Sequence, residues 1–241
     1  MKGSERFSAR ADDYAASRPT YGHDAVAFVL AGSGALPVVA DLGAGTGISA
    51  RIMAAYGARV FAIEPNEQMR KMMPAHARIE SRATTAEATG LNDHEVDIAT
   101  AFQSFHWFEV EAALAEIRRI VRPRGSASLV ANERDESSPI SAAHGDIFRR
   151  YTLDDTEERR LHALDTFKRL PGMATVREFA HSQTLDRAGL QRRTFSASYI
   201  PREGPAADDV RREVDTLFYE HATSGLITLA LRTIVVRVDL P

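Results

Sequence analysis

Three glycines at alternate positions, Gly43, Gly45 and Gly47, lie in the stretch Val39-Ala40-Asp41-Leu42-Gly43-Ala44-Gly45-Thr46-Gly47-Ile48, with one carboxylate at Asp41 and a second at Glu64. The stretch reads as a strand end, a turn and a helix start. Glycines lack a Cβ, so such a turn lets backbone pass very close to a ligand. The amides that open the following helix can meet an anionic group. Two carboxylates around such a turn suit a nucleoside cofactor with a free ribose. Dinucleotide enzymes favour G-x-G-x-x-G, which tucks a pyrophosphate onto the helix. Here the third glycine position of that pattern holds Ile48. Two carboxylates would also repel a pyrophosphate, whereas they suit a sulfonium cofactor carrying an ammonium group.

The elements that must position these groups follow from the pattern around them. Ala25, Val26, Phe28, Val29 and Leu30 give a short amphipathic helix that ends at Gly32-Ser33-Gly34. Strands are expected at 38–41, 59–63, 96–101 and 127–131, with a weaker one near 78–83. Helices are expected at 48–56, from Asn66 as cap to about Met73, and at 109–121. In the last of these, Val110, Leu114, Ile117 and Val121 share a face, and the glutamates lie early and the arginines late, matching the helix macrodipole. Repeated β-α-β units imply a parallel sheet with helices on both faces. Residues 134–177 read as mostly helical and highly charged. A strand is expected over 178–185, a helix over 208–221 capped by Asp208 or Asp209, and a long β-branched run over 226–238. The expected fold class is α/β: a Rossmann-like doubly wound sheet, mostly parallel with one antiparallel strand, and a helical insertion as a lid. One domain accounts for this: an N-terminal cap over 1–36, a cofactor-binding core over 37–133, the insertion over 134–177, and closing strands and helix over 178–241.

The 241 residues are enough for one large α/β domain. The formal net charge is −3, so there is no basic surplus to draw the chain to nucleic acid or an anionic membrane. Mixed charges in the insertion, Arg149-Arg150 and Arg159-Arg160 around Asp154-Asp155 and Glu157-Glu158, read as a solvated helix face. There is no cysteine, which excludes disulfides, thiolate metal sites and a thiol nucleophile. The histidines show no paired spacing of metal ligands, so no metal is expected. No apolar run approaches the ~20 residues of a membrane span. The start lacks the apolar segment of a secretory signal, and a cytoplasmic protein is expected.

D-L-G-A-G-T-G at 41–47 and I-E-P-N at 63–66, with T-A-E at 85–87, Q-S-F-H-W-F at 103–108 and V-R-P-R-G at 121–125, resemble the class I S-adenosylmethionine-dependent methyltransferases. Phe7, Tyr14 and Arg18-Pro19-Thr20-Tyr21 add a resemblance to the small-molecule subgroup that includes trans-aconitate methyltransferase-like proteins. The resemblance covers roughly residues 7–131. It implies S-adenosyl-L-methionine as cofactor and S-adenosyl-L-homocysteine as product. Gly43, Gly45 and Gly47 would face the methionine part, and Asp41 would sit near its ammonium group. Glu64 would accept hydrogen bonds from both ribose hydroxyls. Asn66 and Met69 would border adenine and ribose, Thr85, Ala86 and Glu87 would lie at the adenine edge, and Gln103 would line the pocket. Two positions depart from the family pattern: Thr85 stands where an aspartate is frequent, and Arg124 replaces a glycine.

Methyl transfer from a sulfonium needs proximity, alignment and exclusion of water more than a catalytic group. A base is required only where the acceptor must lose a proton. His106 follows the fourth strand and is the candidate for acceptor binding or proton removal; the same position is open to a structural histidine fixing its loop. Trp107 either walls the acceptor pocket or anchors the next helix. Tyr14, Arg18 and Tyr21 are expected to fold over the site, with Arg18 able to grip a carboxylate bidentately. The expected function is methyl transfer to an O or N atom of a small molecule, carboxylates among the candidate acceptors. Two rival readings stay open: a cofactor-binding protein without turnover, and an NAD-dependent oxidoreductase.

Overall fold

The computed structural model describes residues 21–241 except 154 and 198, and the side chains of all of these but Glu157 and Leu161. Tyr14 and Arg18 therefore lie outside the described residues.

The chain alternates as expected through its first half. Helix α1 (His23–Leu30) leads to β1 (Val38–Leu42), α2 (Ile48–Ala55), β2 (Arg59–Ile63), α3 (Glu67–Lys71), β3 (Ile79–Arg82) and β4 (Val96–Phe102). A single 3-10 turn, Phe105–Trp107, precedes α4 (Val110–Ile120) and β5 (Val121–Arg134). The second half holds α5 (Pro139–Tyr151), α6 (Thr156–Phe167), β6 (Met173–Leu185), α7 (Arg187–Phe195), α8 (Gly204–His221) and β7 (Ile227–Asp239). The seven strands form one sheet in the order β3-β2-β1-β4-β5-β7-β6. β1 pairs in parallel with β2 and β4, and β4 with β5, whereas β7 runs antiparallel to both neighbours. β7 is thus the one reversed strand. The order turns back on itself between β1 and β4, and in such sheets ligands bind beyond the strand ends at that reversal.

Helices cover both faces. Ala25, Val26 and Val29 of α1 and Ala50, Met53 and Ala54 of α2 pack on Val39, Val60, Ile98 and Val130. On the opposite face Leu114, Ile117 and Ile120 of α4 and Ala163 and Phe167 of α6 cover Leu42, Phe61, Ile63, Ala99 and Leu129. A third cluster joins α5, α7 and α8 over Ile227 and Leu229 of β7.

The departures from the expected elements have local causes. β5 starts at Val121, because the Pro123-Arg124-Gly125 excursion is a break in the β4–β5 register, between Val96 and Ile98, rather than a turn ahead of the strand. Arg124 takes φ +62°, the left-handed conformation its family glycine would favour. β6 begins at Met173, so the stretch expected to be helical through 177 ends in a strand, held by its antiparallel pairing to β7. α8 begins at Gly204, with Pro205 in its first turn and Glu203 before it, so neither Asp208 nor Asp209 is its cap. Helix α7 is too polar to announce itself; Asp186 caps it by accepting the Gly189 N–H at 2.6 Å.

Candidate functional site

The glycine turn lies at the end of β1, at the reversal of strand order. Gly43, Gly45 and Gly47 have φ of +69°, +57° and +77°. The N–H groups of Gly43 and Ala44 both donate to the Ile63 carbonyl, at 2.8 and 3.0 Å, which ties the turn to the end of β2. A Cβ on Gly43 would stand 2.6 Å from the Ser104 Cβ, and one on Gly47 2.6 Å from the Met73 Cγ. A Cβ on Gly45 would meet the Met69 Cε at 3.6 Å. The turn is therefore packed between the loop after β4 on one side and the methionines of the 69–73 segment on the other.

Glu64 follows β2 and is buried. Its Oε2 accepts the Gly45 N–H at 2.9 Å and its Oε1 accepts the Asn66 N–H at 2.8 Å. An ionised carboxylate offers about four lone-pair sites, so these two bonds leave each oxygen able to accept another donor. Burial pushes the Glu64 pKa up, and the Asn66 and Gly45 amides and Arg70 pull it back down. Asn66 caps α3 through its Oδ1, which accepts from Gln68 and Met69. That cap places Met69 under the turn.

Asp41 is buried on the α2 face of the sheet. Its partner in the β1–β4 register is Thr100, whose hydroxyl donates to Oδ1 at 3.1 Å, while the Ser49 hydroxyl of α2 donates to Oδ2 at 2.6 Å. Both oxygens thus brace strand, helix and turn from beneath. Burial raises the Asp41 pKa from 3.8 to about 7, against the two hydroxyls, with the Glu64 charge adding to the rise. Between those two values the folded protein holds a proton that the unfolded chain has released. Stability therefore falls as pH rises from about 4 to about 7 and changes no further above it. Replacement by asparagine, Asp41→Asn, removes this contribution. Its stability relative to wild type should rise with pH up to about 7 and then level off, as read by denaturant unfolding at several pH values. Parallel curves would show that Asp41 does not titrate in this window.

The loop after β3 carries Thr85, Ala86 and Glu87. Ala86 is buried and Thr85 exposed. The Glu87 Oε1 accepts the Glu109 N–H at 2.9 Å, at the start of α4. Gln103 follows β4 at φ +56°, an uncommon conformation for a side-chain-bearing residue, and strain of this kind tends to gather at functional sites. Its Nε2 donates to the Asn132 carbonyl at 2.8 Å.

One hollow borders the turn, and a second lies beyond Phe108. The first, of about 30 Å³, is lined by Tyr21, residues 43–46, Ile48, Ser49, Phe102, Gln103 and Asn132. Tyr21 stands edge-on to Phe102, with ring centres 4.7 Å apart. The other, of about 420 Å³, lies between residues 105–110 and helix α6, with His106, Trp107, Arg159 and His162 in its walls. His106 and Trp107 are in ring contact at 4.9 Å, and the Arg159 guanidinium lies 5.1 Å from the Trp107 ring. Phe108 belongs to both surroundings: it lines the larger hollow, and its ring edge would lie 3.3 Å from a Cβ on Gly43. The structure brings Asp41, the glycines, Glu64, Asn66, Met69, Gln103 and Tyr21 around one turn, and sets His106 and Trp107 in the neighbouring cleft. Sequence reasoning missed Thr46, Ser49, Phe102 and Asn132. Asn132 and Phe102 carried one usable signal, their position at the ends of adjacent parallel strands.

Among the described residues no group of three or more His, Asp or Glu side chains could hold a metal ion, and no helix is long and apolar enough to cross a membrane.

Residues 40–129 match the family model described as a methyltransferase domain. A methyltransferase-like protein of Schizosaccharomyces pombe, itself uncharacterized, is 36% identical over 122 residues, covering 48% of this chain and 46% of that protein. The chain spans about half the length of the curated relatives it matches. A solved structure assigned as a type II methyltransferase from Anaeromyxobacter dehalogenans superposes with a TM-score of 0.69 at 20% identity, over 93% of this chain and 99% of that one. The phosphoethanolamine N-methyltransferase 2 of Haemonchus contortus, solved with phosphomonomethylethanolamine and S-adenosylhomocysteine, gives 0.50 at 14% identity, over 99% of this chain and 57% of that one. At such identities the likeness speaks for the fold. The glycine turn and both carboxylates fall within residues 40–129, the stretch similar to a methyltransferase domain, and the fold around them is that of the solved methyltransferase structures.

Proposed function

We propose that this protein transfers a methyl group from S-adenosylmethionine to an O or N atom of a small molecule. The observation that carries the reading is the Glu64 carboxylate, fixed by the turn's own Gly45 amide with acceptor capacity left on both oxygens. The methyltransferase-like relatives and the S-adenosylhomocysteine bound in the Haemonchus structure support the same donor.

The donor supplies an activated methyl on a positive sulfur when bound. The chain's own residues do the rest. Glu64 holds vicinal hydroxyls, Met69 and Ala86 offer apolar surface to a planar base, and Thr85 offers an exposed hydroxyl to its polar edge. The absent Cβ atoms of the glycine turn admit the ligand close to the backbone. Tyr21, Phe102 and Phe108 exclude water from the neighbourhood of the turn, which favours an in-line displacement. Acceptor entry through the 420 Å³ cleft brings His106 and Trp107 alongside it. A carboxylate acceptor is part of this proposal, supported by Arg159, whose guanidinium is ion-paired to Asp155 at 3.0 Å, and by His106 and His162 in that cleft.

Incubation with methyl-labelled donor and a panel of small carboxylates, phenols and amines tests the proposal. Labelled product is expected from at least one class. His106→Ala is expected to lower its formation about tenfold or more, within the range of a lost acid–base or binding group, while affinity for S-adenosylhomocysteine stays within about twofold. Tight cofactor binding without product across the panel would favour the non-catalytic reading, and equal turnover in the variant would leave His106 structural.

A further inference from the structure

The sheet has two edges, and they differ. β3 closes one with four residues, and Glu80 of that strand is ion-paired to Arg59 and Arg82. Short, charged edges of this kind resist pairing with another chain. β6 closes the other with thirteen residues, Met173–Leu185, all in unbroken antiparallel register with β7. It contains no proline, no lysine and no bulge, the devices that usually guard an edge. Among the described residues β6 pairs with β7 alone, so its outer backbone donors and acceptors are left without a strand partner over about 44 Å.

The side chains leave this edge open. Met173 and Val176 are 69% and 48% exposed. The strand's arginine and glutamate are turned onto their own chain: the Arg177 guanidinium stacks over Phe28 at 4.7 Å, and Glu178 pairs with Arg232 at 3.0 Å. The strand is also complementary to itself. In an antiparallel pair, residues directly opposite each other share a face of the sheet. A two-fold axis between two such strands therefore passes beside one residue, which faces its own copy. An axis at Arg177 would set two arginines opposite each other, and one at Glu178 two glutamates, and like charges so placed destabilise a ladder. An axis at Phe179, the middle residue, avoids both and engages all thirteen residues. Met173 then faces the second copy's Leu185, Val176 faces its Ser182, and Glu178 its Ala180. Arg177 faces the second copy's His181, a group whose burial lowers its pKa from 6.5 and so favours the neutral ring.

We infer that β6 is the interface of a homodimer, in which two copies join edge to edge in an antiparallel ladder about a two-fold axis beside Phe179. Two seven-stranded sheets then become one continuous sheet. The assembly closes at two copies, because each chain offers one long edge and its other edge, β3, is short and charged. Three strands, β4, β5 and β7, separate β6 from β1, so the ladder does not touch the glycine turn.

Size exclusion with light scattering, run on the wild-type chain from low to high micromolar concentration, is expected to give twice the mass of one chain. Val176→Lys/Ser182→Lys sets like charges opposite each other on both sides of the axis and should raise the dimer dissociation constant about tenfold or more. Val176→Lys/Ser182→Glu introduces as many charges but pairs them, and should stay within a few-fold of wild type. Both positions are exposed, and thermal unfolding checks that each variant is folded. Because the chain has no cysteine, Val176→Cys/Ser182→Cys reads the same register independently, even if the lysine variant fails to fold. Oxidation of that variant should give a covalent dimer that a thiol reductant separates. A monomeric wild type across the whole range would overturn the inference. So would a dimer that the lysine pair leaves intact, or a folded cysteine variant that oxidation does not cross-link.

Discussion

Glu64→Ala should weaken S-adenosylhomocysteine by roughly 10- to 100-fold, about 1.4–2.8 kcal/mol, the scale of a lost hydrogen-bonding partner that carries charge. The loss has two sources. The variant removes the proposed acceptor of two ribose hydroxyls, and it also releases the Gly45 and Asn66 amides that the carboxylate now holds. The second source is visible without ligand. Each buried N–H left unsatisfied costs about 1–3 kcal/mol, partly offset because a desolvated charge disappears with it. Glu64→Gln separates the two. One of its terminal atoms can still accept an amide proton, but the NH₂ end faces a donor, so it should fold better than the alanine variant and still bind cofactor poorly. Titration calorimetry beside thermal unfolding reads both. Unchanged affinity in Glu64→Ala would show that the carboxylate only braces the turn.

Gly43→Ala is expected to destabilise the protein by about 2–5 kcal/mol. Holding a side chain in the left-handed region costs about 1–2 kcal/mol. Forcing a methyl into filled space adds about 1–3. The space is filled by Ser104, whose Cβ would be 2.6 Å away and whose hydroxyl is anchored to the Leu42 carbonyl at 2.6 Å, so it cannot easily withdraw. For a chain of this size such a loss lowers the melting temperature by roughly 5–20 °C, at about 2–4 °C per kcal/mol. Gly34→Ala is the matched control. Gly34 has φ +83°, yet nothing lies within 4 Å of its Cβ position. Its melting temperature should fall by only a few degrees, the conformational part alone. Equal shifts in the two variants would mean that the close approach of turn and Ser104 does not constrain the site.

The legibility of the site in the sequence follows the range of the interactions involved. The glycine turn, its strand and its helix are set by neighbouring residues, and β2 runs over the expected 59–63. Asn66 caps α3 as its side-chain chemistry suggests, although the helix ends at Lys71, short of Met73. The long-range features were not legible. β6 begins five residues before the expected Glu178, because its ladder is dictated by β7, which lies more than forty residues on in the chain. Asp41 reads in the sequence as a group facing a ligand, but Thr100 and Ser49 turn it inward, and only the β1–β4 register reveals Thr100 as its neighbour. Asn132 stands out only once Thr233 and His181 arrive from the other end of the chain. His106 and Trp107 are legible as a loop after a strand, but which hollow they face depends on α6, whose charged sequence gives no register.

The cofactor's identity underlies the binding predictions made for the turn. Calorimetric titration of the folded wild-type protein with S-adenosylhomocysteine, run beside NAD under the same conditions, tests it most directly. Saturable one-to-one heat with S-adenosylhomocysteine and none with NAD is the expected result. Silence with S-adenosylhomocysteine, or tighter binding of NAD, would contradict the assignment of Glu64 and the 41–47 turn to an adenosyl-thioether ligand.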